Sequence, residues 1–163
     1  MQDSEVDVAI VGAGAVGLAC AAVLASSGHG VIVIERRKLI GEETSSRNSG
    51  VIHAGLYYPH GSLKALSCVE GRARVYARCA REGLAHRKCG KLVVATDDAE
   101  RAQLETIYQR GVQNGAGALR IIDAVELRRL EPRVRAIAAL WSPETGIVDA
   151  HELMASYKRE AMQ

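Results

Sequence analysis

The sequence predicts an α/β fold, and three observations support that class. An apolar segment from Val6 to Val11 enters a glycine-rich turn, and the alanines and leucines after the turn are typical of a helix. A second apolar segment, Val31 to Glu35, follows, so strand, helix and strand form one βαβ unit. Strand-like and helix-like segments then alternate along the rest of the chain. With 163 residues, the chain can bury roughly two thirds of its unfolded surface as about one domain.

The two strands of the βαβ unit are almost wholly apolar, which is typical of central parallel strands covered on both faces. The helix segment AVGLACAAVLASSG ends where Gly28 and Gly30 suit a C-terminal stop. The crossover between the strands should be right-handed. The run from Val8 to Ala25 has the length of a membrane span, but glycines interrupt it and its period changes, so we do not expect a span.

Four helices and three strands are expected after the βαβ unit. The strand candidates are KLVVAT, LRIID and AIAALWSP. Each helix begins at a polar residue suited to cap it. The predicted helices are 62–81 with Ser62 as N-cap, 97–113 with Asp97 or Asp98, 123–130 with Asp123 before Pro132, and a last one after Asp149 and Glu152 in capping-box spacing.

The charge pattern gives no support for a nucleic-acid partner. The net charge is +2, from 21 basic and 19 acidic residues spread along the whole chain. The arginine-rich segment 126–135 also contains two glutamates, which is typical of a solvated helix face.

Cysteines, histidines and the N-terminal residues argue against a metal site and against secretion. The four cysteines form no C-x-x-C pair, and neither they nor the histidines at 29, 60, 86 and 151 have metal-ligand spacing. The segment MQDSEVDVAIVG lacks the basic head of a signal peptide. We therefore expect reduced thiols, no metal and a cytoplasmic location.

The turn GAGAVG carries the first functional signal. Gly12, Gly14 and Gly17 have G-x-G-x-x-G spacing directly after a buried strand, and Glu35 ends the next strand 18 residues after Gly17. Gly12 allows a sharp turn, Gly14 leaves the backbone bare beside a pyrophosphate, and Gly17 lets the helix approach the sheet. The helix N-terminus attracts the phosphates, and Glu35 accepts hydrogen bonds from ribose hydroxyls. The pattern predicts a dinucleotide site.

The kind of dinucleotide is not determined by these glycines. Arg36, Arg37 and Lys38 suggest a clamp for the extra phosphate of NADP, but the carboxylate of Glu35 would repel that phosphate. Surface arginines are the better interpretation, and NAD and FAD both remain open at this point.

A resemblance to a known family distinguishes between the two. The βαβ unit, TSSRNSGVIHAGLYY, SLKA, CGKLVVA, EP and PETGIVD together resemble the FAD-dependent oxidoreductases of the D-amino-acid-oxidase superfamily, and most closely the L-2-hydroxyglutarate oxidases and dehydrogenases. The resemblance extends from Val6 to about Ala155. It implies a Rossmann-like FAD-binding βαβ region followed by the start of an α+β substrate domain.

The resemblance also implies that the loop after the second strand wraps the flavin. Hydroxyl and amide side chains in that loop suit phosphate oxygens, and its glycine permits close approach to a flat ring. An ordinary polar surface loop is the alternative. The cofactor-binding residues implied are Gly12, Ala13, Gly14, Ala15, Val16, Gly17, Glu35, Arg36, Thr44, Ser45, Ser46, Asn48, Ser49 and Gly50.

His53 is the candidate catalytic residue. Oxidation of a 2-hydroxy acid transfers a hydride to the flavin and a proton from the hydroxyl, and a neutral imidazole can accept that proton. A structural histidine and a histidine linked covalently to the flavin are the two alternatives. Tyr57 and Tyr58, with Arg47 and Lys64 as cationic groups, are candidate substrate-binding residues, although packing or surface positions fit them equally well.

Members of the family are considerably longer than this chain, so the resemblance implies an N-terminal part. We expect residues 1–88 to belong to the FAD-binding domain and 89–163 to begin an incomplete substrate domain. The implied reaction is oxidation of L-2-hydroxyglutarate to 2-oxoglutarate, with oxygen or a quinone as electron acceptor, and peripheral membrane contact is compatible with it. The alternatives are oxidation of an amino acid or glycerol 3-phosphate, and a non-catalytic dinucleotide-binding fragment.

Overall fold

The computed structural model of the chain describes residues 6–163, which divide into two units. The first unit contains residues 6–50, 79–85 and 148–163, and the second contains residues 51–78 and 86–147. Both units are therefore built from separate segments of the chain. The predicted boundary at Lys88, between an FAD-binding domain and a substrate domain, stays a prediction. The first five residues of the predicted FAD-binding domain lie outside the residues that the structure describes.

The predicted βαβ unit is present in the first unit. Strand β1 (Val8–Val11) and strand β2 (Val31–Ile34) pair in parallel, and helix α1 (Ala15–Ser26) connects them. Helix α1 packs against the last helix, α5 (Ala150–Ala161). Their shared core contains Ala13, Leu18 and Met154, with Val33 packed against it.

The prediction that both strands are covered on both faces is wrong for the described chain. Side chains alternate between the two faces of the β1–β2 pair, and helix α1 covers only one of them, where Val33 lies. On the other face Val11, Ile32 and Ile34 have exposed fractions of 86%, 45% and 53%. The apolar composition therefore predicted strands correctly and overstated their burial.

The second unit contains an antiparallel sheet with the order β5-β7-β6. Its strands are β5 (Lys91–Ala95), β6 (Arg120–Asp123) and β7 (Ala138–Ser142), as the sequence predicts. Leu140 on the central strand is fully buried. Leu104 on α3 (Asp98–Gln113) packs in the same cluster as Leu140, and Leu127 on α4 (Ala124–Leu130) packs with residues of β6 and β7.

The predicted helix caps are confirmed, with one difference. The side chains of Asp97, Asp123 and Asp149 accept backbone N–H bonds at the starts of α3, α4 and α5. In the last helix, however, Glu152 does not close a capping box. Its carboxylate accepts from the Ala85 N–H at 2.7 Å, and the Asp149 N–H donates to the Ala85 carbonyl at 2.9 Å. The first turn of α5 therefore holds the segment around Ala85.

Three short strands form a further sheet that the sequence did not predict. Strands β3 (Val51–Ile52), β8 (Gly146–Val148) and β4 (His86–Arg87) have the order β3-β8-β4, and β3 pairs antiparallel with β8. The predicted helix after Ser62 is α2 (Leu63–Glu82). Across residues 6–163, no helix combines the length and apolar character needed to cross a bilayer.

Candidate functional site

The glycine turn of the first unit has a geometry that only glycine permits. Gly12 has a φ of +102°, a conformation that other residues rarely adopt. A Cβ on Gly17 would lie 2.0 Å from the Gly12 carbonyl oxygen and 3.4 Å from a side-chain carbon of Ile10. The start of α1 therefore lies directly on the turn and on β1, as the spacing predicts.

Glu35 is tied to the same turn by backbone hydrogen bonds. One carboxylate oxygen accepts from the Ala13 N–H at 2.8 Å, and the other accepts from the Arg37 N–H at 2.9 Å. These bonds, with Arg37 the stronger influence, lower the pKa of Glu35 below its ordinary value. The carboxylate is thus charged at neutral pH, and each oxygen keeps a lone pair that can accept from a hydroxyl.

Ser45 brings the loop after β2 against the start of α1. Its hydroxyl oxygen accepts from the Ala15 N–H at 3.1 Å, and a Cβ on Gly14 would meet that oxygen at 3.1 Å. Ser45 lies in a 3-10 turn, Thr44–Arg47. A cavity of about 460 Å³ opens between the turn, β2 and the loop. It is lined by Val11, Gly12, Gly14, Ile34, Glu35, Arg36, Gly41, Glu42, Glu43, Thr44 and Ser45.

Six of the predicted cofactor-binding residues line this cavity, and the remaining eight lie elsewhere. Ala15 and Val16 line an apolar groove along α1. The Ser46 hydroxyl donates to the Glu42 and Glu43 carbonyls, and Asn48 accepts from the Gly50 N–H at 2.7 Å. The residues of the predicted set outside the cavity lining are Ala13, Ala15, Val16, Gly17, Ser46, Asn48, Ser49 and Gly50.

Two of the three basic residues after Glu35 form ion pairs with the protein itself. The guanidinium groups of Arg36 and Arg37 donate to the same oxygen of Glu43, at 2.8 and 2.6 Å. Hydrogen bonds from Arg36 and then Arg37 lower the pKa of Glu43. This pairing supports the interpretation of surface arginines over a clamp for an additional phosphate.

His53 lies in the second unit, on a segment whose carbonyl groups are held by side chains of α2 and α3. Arg72 donates to the Ala54 carbonyl at 3.4 Å, and Arg110 donates to the Tyr57 carbonyl at 3.2 Å. Asn114 donates to the carbonyls of Gly55 and Tyr58, at 2.8 and 2.9 Å. The thiol of Cys68 donates to the carbonyl of His53 at 3.4 Å. The backbone that carries His53 therefore has little freedom to move.

Burial lowers the pKa of the His53 imidazole, and the nearby ammonium of Lys91 lowers it further. The imidazole is therefore neutral at pH 7, which is the protonation state that a proton acceptor needs. The imidazole is only partly buried, so a substrate can still reach it, and the role of His53 as a base stays a prediction.

Three of the four candidate substrate-binding residues, Tyr57, Tyr58 and Lys64, belong to the second unit. Lys64 lies over the ring of Tyr58, with its ammonium 4.6 Å from the ring centre, and Lys91 lies over Tyr57 at 4.8 Å. Arg47 belongs to the first unit and is exposed. Sequence reasoning missed Lys91, although a lysine at the start of an otherwise apolar strand was a signal. Within residues 6–163, no three histidine, cysteine, aspartate or glutamate side chains are grouped to hold a metal.

Comparison with known proteins gives matches along nearly the whole chain. A dehydrogenase of Arabidopsis thaliana, "L-2-hydroxyglutarate dehydrogenase, mitochondrial", is 45% identical over 151 residues, which are 93% of this chain and 31% of that protein. The human protein of the same name is 39% identical over 159 residues, 96% of this chain and 34% of its own length. The chain therefore spans about a third of the length of these relatives.

Solved structures of oxidoreductases have the same fold. An L-alpha-glycerophosphate oxidase from Mycoplasma pneumoniae, solved with FAD bound, matches with a TM-score of 0.89 and 30% identity, over 96% of this chain and 42% of its own. Glycine oxidase from Bacillus cereus matches with a TM-score of 0.81 and 26% identity, over 97% of this chain and 44% of its own. Both support the predicted fold class, and the structure solved with FAD bound supports FAD as the cofactor.

These relatives correct the predicted location. The dehydrogenases from Arabidopsis thaliana, Pongo abelii and Homo sapiens are all named mitochondrial, so the prediction of a cytoplasmic location is wrong. Cysteine spacing indicates whether disulfides are expected, and it does not identify the organelle.

A family model described as "FAD dependent oxidoreductase" matches residues 7–163, which is nearly the whole chain. The match covers the glycine turn with Glu35 in the first unit and the segment that carries His53 in the second. It confirms the resemblance inferred from the motifs and the assignment of the chain as part of an enzyme. The chain belongs to the FAD-dependent oxidoreductase family.

Proposed function

We propose that this chain is the N-terminal part of an oxidoreductase that uses FAD to oxidise L-2-hydroxyglutarate to 2-oxoglutarate. The observation that carries the proposal is its 45% identity to an L-2-hydroxyglutarate dehydrogenase over 93% of the chain. In this proposal residues 1–88 contribute to the FAD-binding domain, and residues 89–163 begin the substrate domain. The chain alone, at about a third of the length of its relatives, then has little or no turnover.

The first unit supplies groups that fit the adenosine diphosphate end of FAD. The N–H groups at the start of α1 and the bare backbone at Gly12 and Gly14 suit the pyrophosphate. Glu35, charged and anchored by two backbone bonds, suits the ribose hydroxyls. Thr44 and Ser45 line the same cavity and offer hydroxyl groups to phosphate oxygens. FAD, when bound, supplies the oxidant that accepts two electrons with the hydride.

His53 is the proposed proton acceptor. As the C2–H bond of the hydroxy acid breaks and its electron pair leaves with the hydride, the hydroxyl O–H bond also breaks and a carbonyl forms. The proton goes to the neutral imidazole of His53, whose lowered pKa keeps the acceptor form available. The backbone from His53 to Tyr58 is held by side-chain hydrogen bonds, which fix the position from which the imidazole extends.

Oxygen or a quinone is the proposed final electron acceptor, and the substrate is a small 2-hydroxy acid. A second candidate substrate is glycerol 3-phosphate, favoured by the TM-score of 0.89 with an L-alpha-glycerophosphate oxidase. An amino acid is a third, since a glycine oxidase also matches. Each substrate offered in the same assay distinguishes these candidates.

The test is FAD binding followed by turnover. We expect FAD to co-purify with the polypeptide extended to the length of its relatives, and L-2-hydroxyglutarate to reduce an artificial electron-accepting dye in its presence. Removal of the imidazole by His53→Ala should abolish dye reduction and leave FAD bound. Acid precipitation should release the FAD, because we propose a non-covalent complex; flavin retained by the denatured protein would make His53 the first candidate for a covalent link.

A further inference from the structure

Lys91 lies at the start of an edge strand in the antiparallel sheet of the second unit. It is the first residue of β5 and pairs with Ser142 of β7. Gly90 before it has a φ of +75°, and its N–H donates to the Thr145 carbonyl at 2.8 Å. A Cβ on Gly90 would lie 1.9 Å from an atom of the Trp141 ring. The chain therefore enters β5 by a single close-packed path, which determines the position of Lys91.

The side chain of Lys91 reaches the segment that carries His53. Its ammonium lies 4.8 Å from the centre of the Tyr57 ring, and its charge acts on the imidazole of His53. Tyr57 is itself held through its carbonyl by Arg110. Lys91, Tyr57 and His53 thus belong to one small region of the second unit, in which a positive charge faces a histidine.

The ammonium of Lys91 has no carboxylate partner within salt-bridge distance among the residues that the structure describes. Its close neighbour in sequence, Lys88, is paired with Glu144 at 2.7 Å, and Arg120 is paired with Glu126 at 2.8 Å. The imidazole of His53 does not stabilise the charge of Lys91, since the two groups repel each other when the imidazole is protonated. The arrangement suits an anion that arrives from solution.

We propose that the ammonium of Lys91 binds a carboxylate of the substrate beside His53. The identity of the substrate in this inference rests on the proposed function. Lys91 would bind one of the two carboxylates of L-2-hydroxyglutarate. An ammonium held over an aromatic ring keeps its donors free on the other side, so it can donate to carboxylate oxygens. The hydroxyl beside the bound carboxylate is then presented to His53.

The test uses glutarate, a dicarboxylate with no hydroxyl to oxidise, and NMR of the 163-residue chain with labelled histidine and lysine. We expect glutarate to shift the signals of Lys91 and His53, and to raise the pKa of His53 because the bound carboxylate offsets the lysine charge. Lys91→Met should bind glutarate at least about tenfold more weakly, as expected for a lost charge-assisted hydrogen bond. In this variant the His53 pKa should start higher and should not respond to glutarate.

Two variants control for structural effects. Lys91→Arg keeps the charge and should retain most of the affinity, whereas Lys88→Met removes a paired lysine and should leave glutarate binding unchanged. Equal glutarate affinity of wild type and Lys91→Met would overturn the proposal, and so would the absence of any shift at Lys91 in the wild type. Neither readout needs FAD or turnover, so an inactive extended enzyme with an intact glutarate response would contradict the proposed function alone.

Discussion

At the scale of single residues, two glycines within helices differ in the space available for a side chain. Gly17 in α1 has no room for a side chain, since a Cβ would meet the Gly12 carbonyl oxygen at 2.0 Å. Gly71 in α2 has no atom within 4 Å of the position of a Cβ. The same substitution should therefore have opposite effects at these two positions.

Gly17→Ala should destabilise the protein by roughly 1–3 kcal/mol, the usual cost of overpacking, and should abolish FAD binding because the turn must open. Gly71→Ala should stabilise it by about 0.5–1 kcal/mol, since alanine favours helix over glycine. Urea unfolding of both variants, with FAD binding measured by fluorescence quenching, tests the pair. Equal stability of Gly17→Ala and wild type would show that the turn is not packed as described.

Glu35→Ala should weaken FAD binding by roughly 1–3 kcal/mol, the scale of hydrogen bonds to a charged group. The substitution removes the proposed acceptor for ribose hydroxyls and also the acceptor for the Ala13 N–H. Glu105→Ala, which removes an exposed carboxylate on α3 outside the cavity lining, is the control for a general change of charge. Unchanged FAD affinity of Glu35→Ala would mean that this carboxylate only anchors the turn.

Some roles of single residues followed from the sequence and others did not. The spacing of the glycines and the distance to Glu35 are local, so the turn could be predicted from residue order. The contact between Ser45 and the Ala15 N–H, and the position of Lys91 over Tyr57, join residues 30 and more positions apart. Residue order does not encode such contacts, so the lysine at the start of an apolar strand marked Lys91 as unusual without indicating its neighbour Tyr57.

At the scale of elements, side-chain caps mark where helices begin. The Asp123 carboxylate accepts from the N–H groups of Glu126 and Val125, and these bonds lower its pKa below the ordinary value of 3.8. A carboxylate with a lowered pKa in the folded state stabilises the protein above that ordinary value. This contribution is lost as the pH falls through the lower folded-state pKa.

Asp123→Asn should accordingly be less stable than the wild type near neutral pH, with a difference that disappears in acid. Asparagine caps a helix about as well as aspartate but cannot carry the charge that strengthens the bonds. Urea unfolding at a series of pH values from neutral to below 3.8 measures this. Glu105→Gln, which neutralises an exposed carboxylate within α3, is the control, and a pH-independent difference for Asp123→Asn would contradict the assignment.

The helices and longer strands were predictable because their signals are local. Caps at Asp97, Asp123 and Asp149 and apolar runs define them within a few residues. Strands β3, β4 and β8 contain only two or three residues each, and β3 pairs with a segment more than 90 positions away. Strands this short form only because they pair with distant segments, so neither the hydrophobic period nor the composition of their own residues indicates them.

At the scale of the whole molecule, the fold matches one part of longer oxidoreductases. The matched dehydrogenases are about three times as long as this chain, and the β1–β2 pair exposes one apolar face in it. A flavin oxidation needs cofactor, base and substrate positioned together, and a misplacement of about 1 Å can cost on the order of a hundredfold in rate. The chain alone should therefore turn over poorly even where its own residues are correctly placed.

The most direct test of the central claim is anaerobic reduction of bound FAD by L-2-hydroxyglutarate. The polypeptide extended to the length of its relatives should lose its flavin absorbance with this substrate, and should keep it with D-2-hydroxyglutarate, glycine or glycerol 3-phosphate. The 163-residue chain, loaded with FAD, should react at least about a hundredfold more slowly. Bleaching by glycine or glycerol 3-phosphate but not by L-2-hydroxyglutarate would contradict the proposed substrate, and an extended polypeptide that binds no FAD would contradict the account as a whole.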